Sequence, residues 1–182
     1  MPVVFLIEEN HSICECIKQN IVNAQVLVQK AQVTLIGVES HQGGRQWDDY
    51  SGKYKDTFDM GENLEPVNDS PKFANSMRSS RAKVLGVECL GMLNQEQCDL
   101  ATDDLWKGKP AKEHPFNQQR SEHFVRTLLE LRSRHHLTGN LILNAGGDHI
   151  SHIASWINDG TIERRARQKA TYVRVRSPAY RD

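Results

Sequence analysis

Residues 3–7, Val-Val-Phe-Leu-Ile, run without a polar side chain, and a strand that shows no alternation is one covered on both faces. From residue 12 the period changes. Ile13, Ile17, Ile21, Ala24, Val28 and Ala31 recur every three or four positions, the apolar stripe of a helix of about five turns. Residues 33–38, Val-Thr-Leu-Ile-Gly-Val, return to an apolar run and form a second strand. Strand, helix and strand joined by short links make a βαβ unit, whose strands lie parallel in one sheet. That unit restricts the chain to an α/β fold, a mainly parallel sheet flanked by helices.

The rest of the sequence extends the pattern. Residues 84–87 are a third short strand, residues 118–137 carry a helical stripe through Phe124, Val125, Leu128 and Leu129, and residues 141–143 are a fourth strand. This last strand breaks at Gly146-Gly147 and a helix follows over 150–158, with Asp148 placed to cap it. Tyr172-Val173-Arg174-Val175-Arg176 alternates instead, as a C-terminal edge strand does. Residues 45–82 are polar and rich in Gly, Asp and Asn, so they read as a long polar loop or lid, pinned by Trp47, Tyr50, Tyr54 and Phe58. Residues 89–118 read as a short helical insert closed by a Gly/Pro loop. At 182 residues without a repeat, one domain spanning 1–182 is expected.

Composition narrows the partners. Acidic and basic residues number 23 each and the pI is near 7.1, so no net field favours nucleic acid or an anionic membrane. No apolar run reaches membrane-spanning length, and residues 3–7 are too short for a signal-peptide core. A cytoplasmic protein acting on a small molecule or a peptide is expected. The four cysteines, 14, 16, 89 and 98, form no Cys-x-x-Cys pair and are expected to be reduced and structural.

The chemistry gathers at strand ends. His11, Glu39, Glu88 and His149 each follow a predicted strand, and in an open α/β sheet the carboxyl edge is where ligands bind. Imidazoles and carboxylates on one cleft suit general acid–base work or a divalent metal (Mn, Zn or Fe), with His11, Glu39 and His149 as ligands. Gly146 and Gly147 permit a sharp turn and a close backbone approach to a cofactor. His152, three residues after His149, shares its helix face.

The segment Phe5-Leu6-Ile7-Glu8-Glu9-Asn10-His11, the strand ending Val38-Glu39, the strand ending Gly86-Val87-Glu88, Arg120 early in a helix, and Ala145-Gly146-Gly147-Asp148-His149 together resemble the TraB/ChaN-like superfamily. That group includes erythromycin esterase-like enzymes, haem-binding ChaN lipoproteins and Tiki metalloproteases. The resemblance covers residues 3–44, 83–93 and 116–178. The chain departs from the stricter motif with Glu at position 8 in place of Gly, and its interval between Glu88 and Arg120 is short for the group. The resemblance implies a hydrolase with His11 or His149 as base or metal ligand, Glu39 and Glu88 orienting or ligating, and Arg120 neutralising an anionic intermediate. It also admits a haem- or metal-binding protein without turnover, or a degenerate member serving as an interaction protein.

Overall fold

The computed structural model describes residues 1–10, 13–42, 46–48, 53–55 and 70–180. Strands β1 (Val3–Glu9), β2 (Val33–Gln42), β5 (Lys83–Glu88), β6 (Asn140–Gly146) and β7 (Thr171–Arg176) form one sheet, and β3 (Gln46–Asp48) and β4 (Lys53–Lys55) form an antiparallel pair. The helices are α1 (Cys14–Lys30), α2 (Ser70–Met77), α3 (Leu90–Thr102), α4 (Pro115–Arg134), α5 (Gly147–Asn158) and α6 (Ile162–Ala166). The five-stranded sheet has the order β5-β2-β6-β1-β7, and every pairing in it is parallel. This is the α/β architecture the sequence predicts, with β7 at the edge. Strand β6 lies between β1 and β2, so the first βαβ unit leaves a gap that a strand more than a hundred residues later fills.

Alternation along the strands feeds two cores. Val4, Leu6, Leu35, Leu85, Leu141 and Leu143 face α4, α5 and α6, which contribute Phe124, Leu128, Ile150, Ile153, Trp156 and Ile162. Ile7, Val33, Ile36, Val38, Val84 and Ile142 face α1 and α2. Burying one such aliphatic or aromatic side chain stabilises the fold by roughly 1.5–3 kcal/mol. The polar stretch 45–82 thus holds regular structure the composition hid: Phe73, Ala74 and Met77 share one side of α2 and are buried in the second core. Tyr50 and Phe58 lie outside the described residues.

Polar side chains tie the layers at chosen points. Asn140 Oδ1 accepts from the Val3 amide (2.9 Å) while its Nδ2 donates to the Ala31 carbonyl (2.7 Å), aligning β6 with β1 and with the end of α1. Asn20, buried on α1, donates to the Glu8 carbonyl (3.0 Å) at the end of β1. Helix α4 begins earlier than its apolar stripe, because Pro115 suits the first helical position and His114 Nδ1 accepts from the Phe116 amide (3.2 Å). Its C-terminus comes earlier as well, since His136 takes a left-handed backbone, φ 54°. The four cysteines are free, with Cys16 buried and Cys14 exposed. Among the described residues no helix is long and apolar enough to cross a membrane.

Gly37, in the middle of β2, decides how closely α4 approaches the sheet. A Cβ there would lie 2.8 Å from both Leu128 Cδ1 and Val87 Cγ1. Gly37→Val is expected to overpack this contact by about 1–3 kcal/mol and lower the melting temperature by several degrees in a thermal scan. An unchanged melting temperature would show that α4 does not depend on this close approach.

Candidate functional site

The site lies at the carboxyl edge of the sheet, in a cleft of about 470 Å³. Its walls come from the ends of β1 and β2, from α3, from the first turn of α4, from the β6–α5 junction and from Tyr180. Of the five side chains singled out by sequence, Glu39, Glu88, Arg120 and His149 come together here. His11 lies outside the described residues.

Arg120 is the hub. It is buried on α4, and four of the five N–H groups a guanidinium carries are engaged by carboxylates. Nε and Nη2 grip Glu88 Oε1 and Oε2 at 3.0 and 2.7 Å, Nη1 donates to Glu96 Oε2 at 3.0 Å, and Nη2 also donates to Glu39 Oε1 at 3.3 Å. Burial alone pulls the guanidinium's pKa down, but Glu88, Glu39 and Glu96 more than reverse this and hold it above its ordinary value. Such an arginine is permanently charged. With four of its donors on three glutamates, it holds Glu39, Glu88 and Glu96 in place.

Glu39 carries the network to His149. Its Oε2 accepts from the Gly146 amide (2.6 Å), and its Oε1 lies 3.3 Å from His149 Nε2. Helix α5 starts at Gly147, earlier than the apolar stripe begins, with Gly146 as the capping residue. His149 therefore sits in the first helical turn, 4% exposed, and Asp148 is an exposed first-turn residue without the capping bond expected of it. The ring of His149 leans on Phe124 at 4.8 Å between centroids.

The other nitrogen of His149 meets Ser121. Ser121 Oγ lies 2.8 Å from His149 Nδ1 and 3.1 Å from His152 Nδ1, and donates to the Asn117 carbonyl at 3.0 Å. A serine has one hydroxyl hydrogen and two lone pairs. With that hydrogen on Asn117, both imidazoles donate from Nδ1 and His149 carries its free lone pair on Nε2; with it on His149 Nδ1, Nε2 donates to Glu39 instead. A proton taken up at Nε2 is at once beside the Glu39 carboxylate.

Gly147 serves a different neighbour from the cofactor expected there. A Cβ at this position would lie 1.6 Å from the Tyr180 hydroxyl and 2.8 Å from Cζ, so the close approach is made by the chain's own C-terminal segment. That segment is anchored by Arg174 and Arg176, which both engage Glu8 (2.7 and 3.3 Å), and by Arg176 stacking 4.3 Å over the Tyr180 ring. Gly146 contributes its amide to Glu39.

A metal ion needs donors with free lone pairs. Among the described residues no group of three or more His, Cys, Asp or Glu side chains is arranged to hold one; His11, one of the three expected ligands, lies outside those residues.

Sequence reasoning missed Glu96, Asn117, Ser121 and Tyr180. Asn117 and Ser121 had a signal. Asn117, Arg120, Ser121, Phe124 and Leu128 fall on one helical stripe, and the core-facing side of α4 turns polar in its first two turns, where Asn117, Arg120 and Ser121 are all buried.

Two outcomes follow from this geometry. Arg120→Lys loses the bidentate grip on Glu88 and leaves buried carboxylates short of donors, so a loss of about 3–5 kcal/mol in denaturant unfolding is expected, against nearly none for the exposed Arg134→Lys. Equal losses would remove Arg120 as the hub. His152 is held below its ordinary pKa by burial and then by the His149 charge, and His123 chiefly by burial. The folded state then prefers the neutral rings, so stability is full above about pH 6.5 and falls as the pH drops through the folded values. His152→Gln should flatten part of that acid-side loss in melting temperatures; an unchanged slope would show that His152 does not contribute to it.

Set against protein-family models, curated proteins and solved structures, the chain matches none of them.

Proposed function

We propose that the cleft is the active site of a hydrolase, of the kind implied by the resemblance to the TraB/ChaN-like superfamily, acting on an ester or amide bond of a small molecule or peptide. The observation that carries this reading is the buried line from Arg120 through Glu39 to His149, with Ser121 fixing the far nitrogen of the ring. His149 is the general base. Its Nε2 takes a proton from a water in the cleft, the water attacks the substrate carbonyl carbon, and the proton then passes to the departing oxygen or nitrogen. Glu39, beside the same nitrogen, stabilises the imidazolium between these two transfers. Arg120 and the Gly146 amide keep Glu39 in place. Ser121 is fully buried, so it is a positioning residue and not a nucleophile.

The test is turnover of a panel of chromogenic esters and aminoacyl amides by the intact chain. His149→Gln is expected to lower kcat by about 10²–10⁴-fold, and Ser121→Ala to lower kcat about tenfold with little change in KM, because the tautomer is lost while the cleft keeps its shape. Unchanged turnover in His149→Gln would sink the proposal, as would a Soret band or stoichiometric metal in protein that cuts no substrate.

A further inference from the structure

The chain as a whole balances its charges, 23 acidic residues against 23 basic, but the cleft does not. Among the described residues that line it, Glu9, Glu39, Glu96 and Asp148 bring four carboxylates and Arg120 brings one guanidinium. Glu88 lies directly behind, gripping that same guanidinium. A cavity walled by one sign of charge concentrates ligands of the other.

Asn117 adds a second and independent observation. It is 4% exposed and lines the cleft, and its Nδ2 donates to Glu96 Oε1 (3.3 Å), while its carbonyl Oδ1 is buried without a hydrogen-bond partner. An acceptor left in that state destabilises the fold. What it lacks is a donor. On α3, the half-buried Leu93 and Leu100 flank Glu96 along the same wall and offer apolar surface beside the acid. The acceptors run from the exposed Asp148 to the buried Glu96 and Asn117 and do not converge on one point. That spread suits a group with several diverging N–H bonds on an alkyl stem better than a single ion.

We infer that the cleft takes an organic cation, an alkyl-linked ammonium or guanidinium group, with Glu96, Asp148 and Asn117 receiving the N–H groups and Leu93 and Leu100 packing the stem. For substrate choice this rests on the hydrolase reading, and the substrates of that reaction are then basic esters or amides. The binding itself does not rest on it.

Calorimetric titration and thermal shift of the intact chain with agmatine, at low and high ionic strength, test this, with neutral butylurea and anionic succinate as comparisons. Agmatine is expected to bind saturably, to raise the melting temperature and to weaken with salt, while the other two do neither. Asp148 is exposed, so Asp148→Lys keeps the fold and should weaken agmatine on the order of fivefold, one charge reversal at the wall. Glu163→Lys, on α6 away from the cleft, should not. The inference is overturned if agmatine fails to bind, if succinate binds as well, if Asp148→Lys binds like the parent, or if Mn or Zn ions alone stabilise the chain and agmatine does not. Agmatine binding without turnover of any ester or amide keeps this inference and removes the hydrolase reading. Turnover without agmatine binding, and without preference for arginine ethyl ester over alanine ethyl ester, does the reverse.

Discussion

One buried guanidinium holds three glutamates that would otherwise repel one another. Glu88, Glu96 and Glu39 arrive from β5, α3 and β2, and each is almost wholly removed from water. Desolvating a carboxylate costs several kcal/mol, and the cost is recovered only where geometry and hydrogen bonding are good. Arg120 meets that condition with a bidentate bond to Glu88 and single bonds to the other two. The arginine can reach them because α4 lies close to the sheet, and α4 lies close because Gly37 leaves room for Leu128 two turns further along. A glycine in a strand thereby decides whether a charge network eight positions away from its contact can close.

The same network explains why a buried histidine can be useful. A ring with both nitrogens fully committed to fixed donors or acceptors is a structural residue; a ring with one nitrogen committed and the other set beside a carboxylate can take up and return a proton. Ser121 makes the difference through its single hydrogen: on the Asn117 carbonyl one turn back, it leaves only lone pairs for the two imidazoles. Serine hydrogen bonds to the preceding turn are usually incidental to a helix. Here that bond selects between two tautomers.

The sheet was legible because buried parallel strands and amphipathic helices write different periods, and residues 3–38 show both in sequence. Glu39 and Glu88 were legible for a related reason, since each is the first strongly polar side chain past an apolar run, and His149 because it follows the Gly146-Gly147 break after the fourth strand. What the strand-end rule left open was how the polar groups pair. Glu96 lies mid-helix in α3 among Asn, Gln and Cys, and nothing local distinguishes a buried glutamate from a solvated one until Arg120 is placed beside it. Gly147 was read as room for a ligand because a glycine reports only that something comes close. That the visitor is Tyr180, thirty-three residues later, depends on β7 running parallel to β1 along the sheet edge.

That edge strand has a further consequence. Glu8 is 1% exposed in β1, and its carboxylate is answered by Arg174 and Arg176, more than 160 residues further on, with β7 otherwise largely exposed to water. A strand with so little apolar surface gains little from burial alone, so the two arginines and the backbone ladder must supply much of its attachment. Until β7 docks, Glu8 is without its cations and Tyr180 is absent from the cleft wall. The cleft is therefore complete only when the last strand is in place, which couples the geometry around Gly147 and His149 to the final, most non-local pairing in the sheet.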